Sequence, residues 1–376
     1  MRALYIAEGG CVNDFISGNV TVQKVRGLDD HHGMHGCSVT FDGKSYVLVG
    51  NAHADDRQKR YFCKAFSDNG VDFYGLCPVF LQSEMNDYKD TYNSVYYNPH
   101  TNEYVATTRM ATMDRRIAQI TSADAKNWSR PRLILHPHEQ NTQYYAMGVS
   151  HVDGIFYGLL WRFVTNGDPS DMNGYMENDL MYSYDGYCFT PTGLSPVCNR
   201  PDPPEYGCKQ LWLLNMAQEG DNLILCGGAT NIDHGAQYGN SKFAVTSFYS
   251  IRKDGFCALF GKSRDSIVCT KPFLLEGDIF INFSADGRLL FAITDADGRA
   301  IEGYDFCDCV GFEKAGGTNN KLKFKNADTA ALAGRRIKMK FMLDNARLYS
   351  VTVDGRPFLH DSAQKSVNLP YKYQEK

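Results

Sequence analysis

Short segments in which apolar and polar residues alternate recur along the chain, and turn residues separate them. The first clear case covers residues 36–49, where the segments GCSVTF and SYVLV flank the turn Asp42-Gly43. Period-two alternation on both sides of an Asp-Gly or Asn-Gly pair is typical of antiparallel strands joined by a hairpin. The pattern predicts an all-β protein.

This hairpin pattern occurs in four copies, and each copy is followed by a seven-residue box that opens with serine. The boxes begin at Ser67, Ser122 and Ser183, with a looser copy at Ser250, so they lie 55, 61 and 67 residues apart. A four-stranded propeller blade with its loops needs about this length. We expect the serine to end a strand, the Asp or Asn to reverse the chain, and the closing aromatic ring to pack between blades. Four blades are therefore predicted.

The pattern changes after Gly255, where shorter alternating strands and turns such as Asp286-Gly287 and Asp297-Gly298 follow one another. Such spacing favours a β-sandwich. We predict a propeller over residues 1–260, a sandwich over 261–360 and a polar tail over 361–376. Residues 1–28 can add one or two strands, so the ring either has four blades plus a closing strand or carries an incomplete fifth blade.

Composition narrows the function classes. The net charge of −4 disfavours nucleic-acid binding. No stretch approaches the roughly 20 apolar residues that span a bilayer, and the opening MRALYIAEGG lacks the layout of a signal peptide. We therefore expect no membrane association, a cytoplasmic location, and reduced, mostly buried thiols for the 12 cysteines.

Three further segments are distinctive: residues 90–99 (DTYNSVYYNP), with Tyr104 and Arg109-Met110, then residues 141–148, then residues 158–161. The first resembles an inner-strand motif of the five-bladed, glycosidase-like β-propellers of the invertase and arabinanase clan, and the other two resemble the next blade of that group. Residues 252–334 resemble the jelly-roll-like sandwich that follows the propeller. The resemblance covers about residues 30–355 and implies five blades, a carbohydrate substrate and glycoside hydrolysis. This chain departs from the group by starting about one blade late.

The inner strand of each blade lines the channel, so polar residues at the start of these strands converge. Glycoside hydrolysis needs two carboxyl groups, one protonated and one ionised. We predict Asp30 as base or nucleophile, Asp90 as an orienting carboxylate and Glu205 as acid. The alternative for each is that it caps a turn or forms an ion pair.

Substrate-binding roles are predicted for a second group of side chains, because Arg can clamp hydroxyls, Trp can stack on a sugar face and His and Gln can hydrogen-bond hydroxyls. For Trp161 the alternative is packing between blades. The group comprises His32, His35, Arg109, Gln143, Trp161 and His234.

The densest ionisable cluster is Asp29-Asp-His-His-Gly-Met-His35. It could bind a divalent metal with His234 across the channel, or its histidines could hydrogen-bond sugar hydroxyls. No metal ligand is assigned and no cofactor is expected. Three functions remain open: a glycoside hydrolase, a non-catalytic carbohydrate-binding or assembly protein, and a metal-dependent, deacetylase-like hydrolase that uses the His31–His35 cluster.

Overall fold

The computed structural model describes residues 4–28, 32–53, 60–81, 91–111, 115–165, 173–193, 195–237, 244–353 and 356–357. Within these ranges the chain is almost entirely β-structure. By packing it divides into two units, one formed by described residues up to Glu219 together with Ile224–Tyr249, the other by Gly220–Leu223 and the residues from Ser250 onward. The predicted domain bounds at 260/261 and 360/361 stay a prediction.

The first unit opens with a small hairpin that contains a helix. Its elements are β1 (Tyr5–Glu8), α1 (Val12–Ser17) and β2 (Thr21–Lys24). β1 and β2 pair antiparallel. Asp14 starts the helix by accepting hydrogen bonds from the backbone amides of Gly10 (2.7 Å) and Cys11 (3.1 Å), and Gly18 ends it in the left-handed conformation (φ 76°).

The four predicted blades follow, each as antiparallel strands in chain order. Blade 1 consists of β3 (His32–Phe41), β4 (Tyr46–His53), β5 (Arg60–Ser67) and β6 (Phe73–Leu81). Blade 2 consists of β7 (Ser94–Asn98), β8 (Glu103–Ala111), β9 (Arg115–Ser122) and β10 (Arg132–Leu135).

Blades 3 and 4 share one seven-stranded sheet, because Met176 and Gln210 form a parallel bridge between them. Blade 3 consists of β11 (Thr142–Val152), β12 (Ile155–Thr165), β13 (Gly174–Ser183) and β14 (Thr190–Pro191). Blade 4 consists of β15 (Gln210–Glu219), β16 (Asn222–Thr230), the 3-10 turn His234–Gln237 and β17 (Val245–Arg252).

Serine hydroxyls join the inner strands of successive blades. The hydroxyl of Ser38 accepts a hydrogen bond from the backbone amide of Val95 (2.7 Å). Ser94 accepts one from the Val149 amide (3.0 Å), and Ser150 accepts one from the Met216 amide (2.8 Å). β3, β7, β11 and β15 are therefore neighbours in that order, which is the arrangement of inner strands in a propeller.

The serine boxes form the predicted turns. In the third box, the Ser183 hydroxyl accepts from the Gly186 amide (2.9 Å), and Asp185 Oδ1 accepts from the amides of Tyr187 and Cys188 (2.8 Å each). Asn69 and Asp124 accept the corresponding pairs of amide bonds in the first two boxes. The fourth copy differs.

In that fourth copy Arg252 occupies the third position, and its side chain donates to Asn282 Oδ1 (2.7 Å). The closing aromatic rings of the first three boxes do not all pack against the same kind of neighbour. Trp128 and Phe189 pack against the neighbouring blade, as predicted. Phe73 instead packs against Val25 of the N-terminal segment.

The N-terminal segment, residues 4–28, lies between blades 1 and 4. On one side Val25 shares a buried core with Cys63 of blade 1. On the other side the Val12 amide donates to Glu219 Oε1 (2.8 Å) at the end of β15, and Phe15 of α1 contacts Phe248 of β17 (5.8 Å between ring centroids). The sequence predicts one or two strands for this segment, and the structure has two, β1 and β2.

The second unit is a β-sandwich in which most strands pair with two long ones. Its elements are β18 (Leu259–Gly261), β19 (Ile267–Cys269), β20 (Phe273–Leu274), β21 (Ile279–Asp295), β22 (Phe312–Glu313), β23 (Gly316–Lys321), the 3-10 turn Thr329–Leu332, β24 (Arg336–Val353) and β25 (Arg356–Pro357). Phe283, Phe291 and Phe341 are fully buried in its core.

One turn prediction in this unit was wrong. Asp286-Gly287 does not end a strand but lies in an irregularity within β21, between Ala285 and Arg288, where the register against β24 shifts. A bulge of this kind bends a strand without reversing it. The strands predicted on either side of this turn are therefore one continuous strand, β21.

Candidate active site

The first residues of the inner strands meet at one end of the first unit. The carbonyl oxygen of Gly36 accepts a hydrogen bond from the Asn93 amide (2.8 Å), which joins blade 1 to blade 2. The Thr91 hydroxyl donates to the carbonyl oxygen of Tyr145 (2.9 Å), which joins blade 2 to blade 3. Polar side chains from different blades converge here, as the sequence predicts for a channel mouth.

Tyr145, near the start of β11, is the centre of this cluster. The guanidinium carbons of Arg109 and Arg115 lie 4.7 and 5.1 Å from the centroid of its ring. The Tyr145 hydroxyl is 3.1 Å from His234 Nε2, and Arg115 donates to Gln143 Oε1. Two of the predicted binding residues, Arg109 of blade 2 and His234 of blade 4, thus contact one tyrosine, and a third, Gln143 of blade 3, joins the cluster through Arg115.

Trp161 contacts the same cluster from β12. Its ring stacks on Tyr92 (5.5 Å between centroids, 14° between planes) and on Tyr145 (6.3 Å, 24°). Its Nε1 donates to the carbonyl oxygen of Leu213 in β15 (2.6 Å). With 7% of its surface exposed, Trp161 fits the alternative of packing between blades 3 and 4.

Burial separates the members of the cluster into two layers. Arg109, Gln143 and His234 are only 3–4% exposed, whereas Arg115 and Tyr145 are partly exposed. The buried residues form the base of the site, and the partly exposed pair is in the better position to touch a ligand. The sequence pattern singled out neither Arg115 nor Tyr145, although Tyr145 lies within residues 141–148, one of the segments that carry the resemblance.

Glu205, the predicted acid, is an exposed residue of the loop before β15. Asn231 Nδ2 donates to the carbonyl oxygen of Pro204 (3.0 Å), and the Gly207 amide donates to the carbonyl oxygen of Thr230 (3.1 Å). The loop of Glu205 is thereby fixed beside the segment that leads to His234.

The other two predicted carboxylates, Asp30 and Asp90, lie outside the described residues. Asp90 directly precedes Thr91, whose carbonyl oxygen accepts from Asn51 Nδ2 (2.8 Å) and whose hydroxyl reaches Tyr145. The carboxyl group of Asp90 is not placed.

The predicted histidines of blade 1 are described in part. The backbone of His32 pairs with His53 in the sheet, and the side chain of His32 lies outside the described residues. His35 is partly buried in β3, and its carbonyl oxygen accepts from Cys37 Sγ (3.4 Å). Burial raises the pKa of the Cys37 thiol to about 12, so Cys37 is a neutral thiol here.

No group of three or more His, Cys, Asp or Glu side chains is arranged to hold a metal within the described ranges. Residues 29–31 of the predicted metal cluster lie outside those ranges. Nor does the described part of the chain contain a helix long and apolar enough to cross a membrane.

A pair of carboxylates that the sequence did not reveal lies on β13. Glu177 and Asp179 both contact the Arg162 guanidinium, at 2.6 and 3.2 Å, and Arg200 lies 3.0 Å from Glu177. These side chains are less than a third exposed. Because two guanidinium groups compensate the two carboxylates, the arrangement is an ion-pair network between strands rather than an acid–base pair.

No protein-family model and no curated protein matches this chain. Among solved structures, a glycoside hydrolase is similar with 10% identity and a TM-score of 0.42 over 80% of this chain and 89% of the other. A Bombyx mori β-fructofuranosidase of glycoside hydrolase family 32 is similar with 10% identity and a TM-score of 0.38 over 86% and 80%.

An N-acetylgalactosamine deacetylase from F. plautii, in complex with blood group B trisaccharide, is similar with 11% identity and a TM-score of 0.42 over 56% of this chain and 70% of the other. Glycoside hydrolases thus recur among the structural neighbours.

Proposed function

We propose that this protein is a glycoside hydrolase whose active site lies where the inner strands of blades 1 to 4 begin. The observation that carries the proposal is the convergence of side chains from three blades on Tyr145: Arg109 and His234 contact it directly, and Gln143 joins the cluster through its hydrogen bond with Arg115. Aromatic rings with adjacent guanidinium groups suit a ligand that has apolar faces and many hydroxyls, and a sugar has both.

The chemistry is assigned to the three carboxyl groups predicted from the sequence. Glu205, on its fixed loop, protonates the leaving oxygen. Asp30 acts as base or nucleophile on the opposite side of the bond, and Asp90 orients the substrate and tunes the acid. This division of roles follows from the need for one protonated and one ionised carboxyl group.

The test is hydrolysis of a panel of aryl glycosides and oligosaccharides by the wild type and by the variants Glu205→Gln and Asp30→Asn. Loss of general acid catalysis costs about 10²–10⁴-fold in rate, so each variant should lose at least 100-fold. Asp297→Asn is the matched control, because Asp297 is an exposed carboxylate in a turn of the second unit. Full activity in both active-site variants would refute the assignment.

A second candidate is a carbohydrate-binding protein without turnover. The partly exposed Arg115 and Tyr145 are placed to touch a ligand, whereas Arg109, Gln143 and His234 are more than nine-tenths buried and support that pair from below. Calorimetric titration with the same oligosaccharides distinguishes the two functions, since binding without product formation supports the second. Metal analysis of the purified protein tests the metal-dependent alternative.

A further inference from the structure

The loop that carries Glu205 has a defined backbone although its side chain is exposed. The Glu205 amide donates to the carbonyl oxygen of Asp202 (3.1 Å), and the carbonyl oxygen of Glu205 accepts from the Cys208 amide (3.2 Å). Two successive turns therefore bracket the residue. An acid that must meet one oxygen of a bound substrate needs such a fixed position.

Bonds to one neighbouring segment, residues 230–234, fix the loop further. The carbonyl oxygen of Thr230 accepts from the amides of Gly207 (3.1 Å) and Lys209 (3.3 Å). Asn231 Nδ2 donates to the carbonyl oxygen of Pro204 (3.0 Å), and Lys209 Nζ lies 2.9 Å from Asp233 Oδ1. The loop is held at its beginning by Asn231 and at its end by Thr230 and Asp233.

The same segment is anchored to blade 3 at its other end. His234 is 4% exposed, its Nε2 is 3.1 Å from the Tyr145 hydroxyl, and its ring lies 5.6 Å from that of Phe163. Tyr145 in turn accepts the hydrogen bond of Thr91 from blade 2. A continuous set of contacts thus connects the loop of Glu205 to the Tyr145 cluster.

We propose that residues 230–234 position Glu205, with Asn231 as the main positioning residue and the Lys209–Asp233 pair as a secondary one. This inference rests on the proposed function, because it assumes that Glu205 is the acid. Asn231 has the larger effect because its bond is to the backbone next to Glu205. The ion pair is about 40% exposed, so solvent weakens it.

A misplaced acid has a signature that a general loss of structure lacks. Proton donation matters most when the leaving group is a poor one, and little when it departs as a stable anion. Asn231→Ala should therefore reduce kcat on a phenyl glycoside about 10- to 100-fold, an effect of the size that a displacement near 1 Å produces. On the 2,4-dinitrophenyl glycoside of the same sugar, kcat should change less than about threefold. Lys209→Met should show the same selectivity with a smaller loss.

The experiment measures kcat and KM on both substrates for the wild type, Glu205→Gln, Asn231→Ala and Lys209→Met. Asn127→Ala is the control, because Asn127 is an exposed asparagine whose side chain contacts Asp124 in the second box. Glu205→Gln should lose far more kcat on the phenyl glycoside than on the 2,4-dinitrophenyl glycoside. If it does, and Asn231→Ala loses kcat equally on both substrates or not at all, the positioning role is overturned. If Glu205→Gln itself loses kcat equally on both substrates, the proposed acid is rejected.

Amide hydrogen exchange supplies a readout that does not need turnover. Asn231→Ala should increase exchange in residues 202–209, which include the bonded amides of Gly207 and Lys209, and Asn127→Ala should leave them as in the wild type. Unchanged exchange in this segment would contradict the inference. A wild type that hydrolyses neither glycoside would reject the proposed function and, with it, the role of Glu205 as an acid.

Discussion

Replacing Asp185 with alanine measures how much a serine box contributes to the stability of the propeller. Asp185 is 3% exposed. Its Oδ1 accepts three hydrogen bonds, from the Ser183 hydroxyl and from the amides of Tyr187 and Cys188, each 2.8 Å long. Alanine removes the acceptor and leaves these donors in place. Cys188 is exposed, so water can replace its bond.

The other two donors lose their acceptor in a buried or half-buried place. A donor left unsatisfied in this way costs about 1–3 kcal/mol. Two such donors, of which one can in part reach water, give an expected loss of about 2–4 kcal/mol in the free energy of unfolding. Asp124→Ala is the matched variant, because Asp124 accepts the corresponding pair of amide bonds but is exposed. Its loss should be clearly smaller, since water replaces the carboxylate.

Urea unfolding followed by tryptophan fluorescence gives both values. All three tryptophans, Trp128, Trp161 and Trp212, lie in the first unit, so their emission reports the propeller and not the sandwich. The midpoint should fall while the dependence on urea concentration stays the same. If Asp185→Ala costs less than about 1 kcal/mol, or no more than Asp124→Ala, the reasoning from buried donors is wrong.

Two further predictions follow from groups whose pKa is shifted. Burial lowers the pKa of His100 and of His151, and for His151 the proximity of His100 adds to the effect. The folded state therefore favours the neutral rings, so stability is fully present above the ordinary histidine pKa of 6.5 and is lost as pH falls below it. Urea midpoints between pH 7.5 and 5 should show this decline, with a smaller slope in His100→Gln and His151→Gln; equal slopes would contradict it. Burial raises the pKa of the Cys37 thiol to about 12, so Cys37 should resist a maleimide at pH 8 in the native protein, whereas the exposed Cys11 and Cys257 should react. Peptide mapping by mass spectrometry measures the labelling of each cysteine. Labelling of Cys37 as early as that of Cys11 would contradict the prediction.

The boxes could be predicted from the sequence because their chemistry is local. The bonds that the side chains of Ser183 and Asp185 make in the turn reach residues within three positions along the chain, so a short motif contains the donors, the acceptors and the turn. Tyr145 is the opposite case. Its importance comes from Arg109 and Arg115, which lie on strands of blade 2, and from His234, which lies in the 3-10 turn of blade 4, and no spacing along the chain records that convergence.

The turn predicted at Asp286-Gly287 in the second unit was wrong for a related reason. Asp286-Gly287 carries the composition of a turn, yet β21 continues through it, because the long partner strand β24 pairs with β21 on both sides of the irregularity. Whether an Asp-Gly dipeptide reverses the chain or only forms a bulge is decided by the strand that pairs with it. Local propensity is overridden by pairing across the sheet, and the sequence pattern alone cannot report it.

The N-terminal segment, residues 4–28, bears differently on the parts of the candidate site. The Tyr145 cluster is built from blades 2, 3 and 4, whose inner strands are joined by the Ser94 and Ser150 bonds, so the contacts described for it do not involve that segment. On blade 1, Val25 and Leu28 of this segment are buried together with Cys63. Of the three proposed carboxylates, only Asp30 precedes β3 in the chain. Its proposed role therefore depends on the segment 4–28 that leads to it, whereas the proposed role of Glu205 depends on contacts within blade 4 and with blade 3.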